Sequence, residues 1–498
     1  MGESWVNSGE VVEPRGEVEP GGEVGADLYL ELAPTGSRRD ALTGALREAV
    51  RDGRLAAGSR LPPYRSLAAD LGLARNTVAQ AYAELVAEGW LTARQGSGTR
   101  VAPRVQPPAD VRAPAPATVH APARPPRPQV PRRAPVHTLL QGQPDASSFP
   151  RTAWAAATRR ALQAAPAEAF GPGDPRGRYE LRRALAEYLA RARGVRTDPD
   201  RIVVCAGFAT GLRMLYAGPG GGVLRGPLAV EEYGLPFHRK LLADAGVPTR
   251  PLTVDQHGAL SSELARLTDV RAVLLTPAHQ FPTGGPLHPE RRLAAVDWAR
   301  SRGTVVLEDD YDGDFRYDRQ PVGALQGLEP ERVVHLGSVS KSLSPGLRIG
   351  WLVLPAHLVE PVLAVKGERE GHTSVIDQLT LAEFLDSGSY DRHLRRMRQR
   401  YRERRDQLVA ALAEQAPHIT VSGIAAGLHA VLRLPPGTER ATLRAAAWHG
   451  VALDGLAPFR HPDAVGPTPD GLVVGYAAPA DHAWRGALAA LCAVLPGP

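Results

Sequence analysis

Three short segments near the N-terminus carry apolar residues at the spacing of an α-helix. The inward-facing residues are Leu42, Ala45, Leu46 and Val50 in the first segment, Leu67, Ala68 and Leu71 in the second, and Val78, Ala81, Tyr82 and Leu85 in the third. Gly53 and Gly72 are expected to end the first two helices. A glycine-containing turn between two short helices is typical of a helix-turn-helix motif.

The sequence after the third helix, Trp90–Val101, predicts two short strands joined by a tip of Gly96, Ser97 and Gly98. A hairpin in this place corresponds to the wing of a winged helix. We therefore place a winged helix-turn-helix domain at residues 28–102. The alternative is a small helical bundle with solvated arginines, but the order of helices, turn and hairpin favours the winged helix.

Residues 138–498 alternate strand-like apolar runs with helical stretches. The clearest runs are Arg201–Cys205, Ala272–Leu275, Thr304–Leu307 and Val333–Leu336. Strands that alternate with helices indicate crossover connections between parallel strands. The sequence therefore predicts a large α/β domain with a mostly parallel central sheet.

Two segments lack the apolar content of a folded domain. Residues 1–27 carry seven acidic residues and one arginine without hydrophobic periodicity, which predicts a disordered acidic tail. Residues 103–135 contain eleven prolines, which predicts a semi-extended linker of polyproline character. We place this linker at residues 103–137, between the two domains.

The composition of the whole chain narrows its class. The chain has 498 residues, of which 43% are hydrophobic and 22% charged, as in ordinary globular proteins. It has no apolar run of the roughly 18 residues that span a membrane and no secretory signal at its start, so we expect a cytoplasmic protein. Cys205 and Cys492 are too few for a disulfide framework or a metal cluster, and no metal site is expected.

Almost all basic residues are arginines. Only three of the 59 basic residues are lysines, namely Lys240, Lys341 and Lys366. Because arginine cannot lose its proton to act as an amine nucleophile, a well-placed lysine marks a candidate reactive group. The net charge of +6 includes the acidic tail at −6, so the remainder carries about +12, which favours polyanionic partners.

The polar residues at the helix starts of the first domain suit a DNA groove. Arg75, Asn76 and Thr77 would reach base edges or phosphates if the third helix entered the major groove. Arg65 and Ser66 begin the preceding helix, where backbone N–H groups attract phosphate. The candidate DNA-binding residues of the wing are Arg94, Gln95, Gly96 and Ser97.

Residues 58–68 read Gly-Ser-Arg-Leu-Pro-Pro-Tyr-Arg-Ser-Leu-Ala. This stretch resembles the Gly-x-x-Leu-Pro-x-x-Arg-x-Leu-Ala motif of GntR-type winged helices, and the resemblance covers nearly the whole segment. It implies that the domain binds a double-stranded DNA operator.

The most specific motif of the large domain surrounds Lys341. Ser338 and Ser340 precede the lysine after a predicted strand, and Arg348 follows it by seven residues. This arrangement suits pyridoxal 5′-phosphate (PLP), because the lysine would form a Schiff base. Ser338 and Arg348 would bind and neutralise the phosphate dianion.

A second strand end supplies Asp309, Asp310 and Tyr311. An aspartate that faces the pyridine nitrogen of PLP would keep it protonated, and the phenol would bond the ring oxygen. The spacing alone leaves open which aspartate faces the nitrogen, and a solvated acidic turn is the alternative. The position of the pair 32 residues before Lys341 favours a cofactor site.

Two further strand ends supply supporting residues. The stretch 207–211, with Ala209 and Thr210, would place N–H groups of a helix start against the phosphate. His279 lies in the stretch Pro277–Gly284, which would line the edge of the ring. A structural role for His279 is the alternative.

These motifs together resemble fold-type I aminotransferases over about residues 138–495, and the attached winged helix resembles the MocR-type subfamily of GntR regulators. By that resemblance Lys341 is the internal aldimine lysine, Asp309 the partner of the pyridine nitrogen and Tyr311 the partner of the ring oxygen. The resemblance implies these phosphate-binding residues: Ser338, Ser340, Arg348 and Thr210. We also expect a homodimer, because fold-type I sites form at subunit interfaces and operators offer paired half-sites.

The sequence departs from the family pattern at three positions. Leu235 stands where a tyrosine usually stacks on the cofactor ring, and Pro172 replaces a tyrosine near the phosphate. Val473 occupies the place of the arginine that holds the substrate carboxylate. We therefore expect PLP binding with poor turnover of amino acids, and Arg176 or Arg460 remain open as substitutes.

The sequence thus favours a transcription regulator whose effector is PLP or an adduct of PLP with an amino acid, as in the PdxR-like branch that controls vitamin B6 metabolism. A working aminotransferase with an accessory DNA-binding domain is the first alternative, and Val473 argues against it. A dimerisation scaffold without cofactor is the second alternative. The presence of all the expected cofactor residues argues against it, namely Lys341, Asp309, Tyr311 and Arg348.

Overall fold

A computed structural model describes residues 37–52, 54–94, 98–103, 135–217, 222–317, 322–367 and 373–497. The chain divides into two compact units, Met1–Arg127 and Pro128–Pro498. The predicted acidic tail and nearly all of the predicted linker lie outside the described residues. The two units are described separately.

The first unit consists of three helices and a two-stranded hairpin. These are α1 Arg38–Arg51, α2 Tyr64–Asp70, α3 Arg75–Ala87, β1 Leu91–Arg94 and β2 Gly98–Val101. The strands are antiparallel, with Leu91 opposite Val101. The apolar faces of the helices and the hairpin share one core, in which Leu46, Val78 and Leu85 are almost fully buried. The expected helices and wing strands are therefore present.

The second unit contains ten further helices and fifteen further strands among its described residues. The helices are α4 Arg151–Ala164, α5 Tyr179–Arg193, α6 Phe208–Tyr216, α7 Pro236–Asp244, α8 Pro289–Arg302, α9 Ala356–Lys366, α10 Val375–Asp386, α11 Ser389–Gln415, α12 Glu439–Trp448 and α13 Asp481–Val494. The strands are β3 His137–Thr138, β4 Ile202–Cys205, β5 Leu228–Glu231, β6 Thr249–Leu252, β7 Val254–Asp255, β8 Gly258–Ala259, β9 Ala272–Leu275, β10 Val305–Asp309, β11 Val333–Ser338, β12 Gly350–Val353, β13 Thr420–Ser422, β14 Ala430–Arg433, β15 Val451–Ala452, β16 Asp454–Gly455 and β17 Gly471–Val474.

A seven-stranded sheet in the order β4-β12-β11-β10-β9-β5-β6 forms the centre of this unit. Only β12 runs against its neighbours, while the other pairs are parallel. Strands β4, β5 and β12 are buried along their whole length, as expected when both faces of a sheet are covered. The predicted mostly parallel α/β fold is confirmed.

A smaller antiparallel sheet, in the order β13-β14-β17-β16, belongs to the C-terminal part of the same unit. In this sheet Val431 of β14 lies opposite Val473 of β17. Among the described residues, no helix combines the length and apolar character needed to cross a membrane.

Candidate functional site

A cavity of about 270 Å³ lies at the carboxyl ends of the parallel strands, where α/β sheets usually bind their ligands. Strands β10 and β11 end there, and α6 begins there. The predicted residues that line the cavity are Ala209, Asp309, Tyr311, Ser338, Ser340, Lys341 and Arg348. Thr210 and His279, the other two residues predicted to bind the cofactor, are not in the lining. The structure thus brings together seven of the nine.

Lys341 lies just beyond the end of β11, and its Nζ donates a hydrogen bond to the carbonyl of Gly142. Burial lowers the pKa of Lys341, although the carboxylates of Asp309 and Asp312 act against this shift. A lysine that loses its proton more easily is a better amine nucleophile. Gly142 could not be predicted, because a backbone carbonyl acceptor has no signature in the residue types.

The neighbouring carboxyl groups of Asp309 and Asp310 lie in different surroundings. Asp309 lines the cavity, and burial, aided by the charge of Asp310, raises its pKa well above the usual range. Asp310 instead forms a bidentate ion pair with Arg193 at 2.7 and 2.9 Å. Burial alone would raise the pKa of Asp310, but Arg193 and His335 outweigh burial and lower it. Asp309 is therefore the aspartate available to a ligand in the cavity.

Tyr311 connects the cavity to a buried polar pair. Its hydroxyl lies 3.0 Å from Nδ1 of His279, and the same nitrogen lies 2.8 Å from a carboxylate oxygen of Asp312. Burial, together with the charges of Asp312 and Asp309, raises the pKa of Tyr311 well above its usual range. The phenol thus stays protonated, and His279 contacts its hydroxyl without lining the cavity itself.

The phosphate end of the predicted site lies at the start of α6. Gly207, with a φ of 95°, precedes the helix, and Ala209 stands in its first turn. A Cβ on Gly207 would lie 3.8 Å from Nη1 of Arg348, so the absence of a side chain keeps the space beside the guanidinium open. Within the described residues Arg348 makes no side-chain hydrogen bond, which leaves its donors available for an anion. Thr210 is half-buried, and its N–H bonds to Gly207 within the same turn.

The position expected to stack on a ring is aliphatic, but an aromatic pair lies close by in the sequence. Leu235, His238 and Phe208 all line the cavity. The rings of His238 and Phe208 stack with centroids 4.5 Å apart. Burial, with the charges of Lys341 and Arg239, lowers the pKa of His238 to about 4. His238 was not predicted, because a histidine in the stretch after Leu235 matches no motif.

The expected position of the carboxylate-binding arginine lies in an apolar cluster. Val473 is fully buried and packs in a cluster with Val431, Phe281, Phe459 and Tyr233. A carboxylate has no partner there, and its burial would be unfavourable without one.

Three arginines that could replace it, Arg239, Arg176 and Arg460, are bound to other groups. Arg239 lines the cavity, but its guanidinium donates to four backbone carbonyls, at 2.8 to 3.3 Å. Arg176 is paired with Asp174 and Asp200. Arg460 binds loop carbonyls, and neither Arg176 nor Arg460 lines the cavity. Both substitutes that the sequence left open are thus engaged elsewhere.

The candidate DNA-binding residues lie at exposed helix starts. Arg65 and Ser66 are exposed in α2, Arg75 and Asn76 are exposed at the start of α3, and Thr77 is half-buried. No side chain caps the start of α3. The N–H of Thr77 donates to the carbonyl of Ala74, which leaves the N–H groups of Arg75 and Asn76 as those that could bind phosphate.

The opposite end of α3 is fixed to α1. Arg47 of α1 donates to Glu84 and Glu88 at 3.2 and 2.9 Å. The backbone of Arg94 lies in β1, whereas its side chain and the whole of Gln95, Gly96 and Ser97 lie outside the described residues. The helix start is therefore the part of the predicted interface that the structure describes.

Two families match this chain. Residues 39–101 match bacterial regulatory proteins of the gntR family, and residues 136–464 match aminotransferases of class I and II. The uncharacterized HTH-type transcriptional regulator YhdI of Bacillus subtilis is 33% identical over 415 residues, which cover 83% of this chain and 86% of that protein. The HTH-type pyridoxine biosynthesis transcriptional regulator PdxR of Corynebacterium glutamicum is 32% identical over 82% of this chain and 86% of its own length.

A third relative and two solved structures extend these findings. The probable rhizopine catabolism regulatory protein MocR of Rhizobium meliloti is 34% identical over 87% of this chain and 88% of its own length. The kynurenine aminotransferase of Pyrococcus horikoshii superposes with a TM-score of 0.64 at 23% identity, over 72% of this chain and 91% of that chain. The second structure is the α-aminoadipate aminotransferase LysN of Thermus thermophilus in complex with N-(5′-phosphopyridoxyl)-L-leucine. It superposes with a TM-score of 0.62 at 25% identity, over 72% of this chain and 91% of that chain.

Proposed function

The chain belongs to the GntR family of transcriptional regulators, in the MocR type that joins a DNA-binding winged helix to a PLP-binding aminotransferase domain, and we propose that PLP is its effector. In this proposal PLP binding in the second unit changes the affinity of the first unit for its operator. Such coupling requires that PLP bind two conformations of the protein unequally.

The observation that carries the proposal is the cavity around Lys341. Lys341 would attach the cofactor, Asp309 would face the pyridine nitrogen and Tyr311 the ring oxygen. The groups assigned to the phosphate are Ser338, Ser340, Arg348 and the start of α6. When bound, PLP supplies an aldehyde that reacts with amines and a pyridinium ring that withdraws electrons.

The residues of this cavity favour a protein that senses PLP over an enzyme that converts amino acids efficiently. Val473 lies in an apolar cluster, and the two terminal nitrogens of Arg239 donate to four backbone carbonyls. An amino acid would therefore lack the bidentate partner that orients its carboxylate for reaction. A protein that keeps the cofactor contacts and lacks the substrate contact is suited to sense the cofactor itself.

We further propose that the regulated genes belong to vitamin B6 metabolism. PLP is the active form of this vitamin, so a PLP-responsive regulator can adjust its supply. The relative named as a pyridoxine biosynthesis regulator, at 32% identity, supports the same proposal. Since a DNA operator is the other partner, we place the protein in the cytoplasm.

We also propose that the protein acts as a homodimer through the second unit. Helices α4 and α5 both pack against α10. Large apolar side chains on or next to these helices are exposed, namely Leu162 at 40%, Phe170 at 53%, Tyr179 at 57% and Ile376 at 43%. Exposed apolar side chains on helices that pack together support a protein interface at these helices. A dimer would present two winged helices to paired half-sites.

Operator affinity measured with and without PLP tests the effector role. The operator is first selected from a random pool of duplexes with the full-length protein. We expect saturating PLP to change the dissociation constant at least about fivefold, within the usual range of allosteric coupling. Lys341→Ala should bind DNA without responding to PLP, and Lys240→Ala, at an exposed lysine, should respond like the natural protein. Equal affinities with and without PLP would rule out the effector role.

A further inference from the structure

We propose that the second unit has a second ligand site, which binds a zwitterionic amino acid. It lies outside the cavity lined by Lys341 and Asp309, which is called the PLP cavity from here on. The site is a cavity of about 520 Å³ between loops of the large sheet and the small C-terminal sheet. Glu232, Thr253 and Gln256 come from the side of the large sheet, and Ser422 and Arg433 come from the small sheet. A cavity of this size is typical of small-molecule sites.

Arg433 supplies the positive charge of the site. It lies two residues after Val431 on β14, so both side chains are on the same face of the strand. Val431 packs in the apolar cluster with Val473 and Tyr233, and Arg433 extends that face into the cavity. Among the described residues Arg433 forms no hydrogen bond or ion pair through its side chain. Its planar guanidinium is therefore available for two hydrogen bonds to a carboxylate.

Glu232 supplies the negative charge. It is only 8% exposed although it lines the cavity. Burial raises the pKa of Glu232, while the guanidinium of Arg460 and the backbone N–H of Val254 favour its charged form. Its carboxylate makes no hydrogen bond to a described side chain. A ligand ammonium would add a charged hydrogen-bond partner, which no described side chain gives this carboxylate.

Arg460 builds the outer wall of the cavity instead of binding ligand. Its guanidinium donates to the carbonyls of Val465 and Gly466 at 2.6 and 2.8 Å and to the hydroxyl of Thr468 at 2.9 Å. Val465 lines the cavity, so these bonds hold the lining loop in place. Arg433 is thus the cation left for a ligand within the described lining.

Charge and position together select the ligand class. A ligand with one carboxylate and one ammonium matches Arg433 and Glu232, and the hydroxyls and amide of the lining offer further hydrogen bonds. Tyr233 lines this cavity and the PLP cavity, so an occupied second site would contact a wall of the first. The proposal does not depend on PLP being the effector, since the second site contains neither Lys341 nor Asp309.

Titration calorimetry with the full-length, PLP-loaded protein tests this site, using each of the twenty protein amino acids singly. We expect at least one to bind, and both Arg433→Met and Glu232→Gln to raise its dissociation constant at least tenfold. Arg444→Met, at an exposed arginine of α12, is the matched control and should leave the constant unchanged. The PLP absorbance spectrum should be the same in all three variants.

Lys341→Ala separates the two cavities. Amino acid binding should persist in this variant, because the second site does not use the lysine. The proposal is overturned if none of the twenty amino acids binds, if binding disappears in Lys341→Ala, or if Arg433→Met binds as well as the natural protein. A failure of PLP to affect DNA affinity would leave these binding constants unchanged, so the two proposals fail independently.

Discussion

The two units hold their candidate functional side chains in opposite surroundings. In the first unit Arg65, Arg75 and Asn76 are exposed and lie outside the core. In the second unit Lys341 and Asp309 lie in a cavity wall, where burial shifts their pKa values. Substitutions of the exposed residues should therefore have little effect on folding. Lys341 and Asp309, in contrast, interact with neighbours that also stabilise the fold.

The largest expected effect is the loss of cofactor attachment in Lys341→Ala. Of the lysines in the chain, Lys341 lines the PLP cavity, while Lys240 is exposed in an ion pair with Asp244. Borohydride reduction followed by mass spectrometry should find the pyridoxyl group on Lys341 in the natural protein and none in the variant. Lys240→Ala should be labelled normally.

Lys366 provides the stricter control, because its pKa is also lowered, to about 8, by burial. Its Nζ donates to the carbonyls of Pro175 and Val204 and is not in the lining of the cavity. A pyridoxyl group on Lys366 in place of Lys341 would contradict the assignment of the site.

The second prediction separates the neighbouring aspartates. Asp310→Asn should lower the free energy of unfolding by about 3 kcal/mol or more, because it leaves the guanidinium of Arg193 buried without its charged partner. Asp309→Asn should leave folding nearly unchanged or stabilise it, since burial disfavours the charge of Asp309. It should instead weaken PLP binding.

Urea unfolding and PLP titration, carried out on both variants, check this contrast. Equal losses of stability would show that the two carboxylates share one environment. Undiminished PLP affinity in Asp309→Asn would remove Asp309 from the cofactor site.

Most of the fold follows from the sequence, but the finer placement of side chains does not. The helix-turn-helix, the wing strands and the parallel sheet agree with the apolar periodicity, and strand ends bring Asp309 and Lys341 together as expected. The sequence could not distinguish Asp309 from Asp310, because only the tertiary position of Arg193 decides which carboxylate is paired. Gly142 acts through a backbone carbonyl, which no residue type reveals.

The third prediction concerns Glu231, a buried carboxyl in the wall of the PLP cavity. Burial raises its pKa from 4.5 to about 7, although hydrogen bonds from Thr276 and Gln280 act against the shift. Between pH 4.5 and about 7, the folded state therefore keeps the proton on Glu231, while the unfolded state has lost it. This stabilisation is complete below pH 4.5 and is lost as the pH rises to about 7.

The variant Glu231→Gln isolates this contribution. Over that pH range the stability of the natural protein should fall by up to about 3 kcal/mol more than that of the variant, measured by chemical denaturation at a series of pH values. Parallel pH profiles would show that Glu231 has an ordinary pKa in the folded protein.

The smallest effect, and the clearest contrast with the buried residues, is expected for Arg75→Ala at the start of α3. Because Arg75 is exposed and outside the core, its removal should leave the thermal midpoint and the PLP spectrum unchanged. The loss of a groove contact should weaken operator binding by about 1–3 kcal/mol. Fluorescence anisotropy at matched salt measures this loss. Arg38→Ala, at an exposed residue of α1, is the control, and equal operator affinities for the two variants would show that α3 does not read the operator.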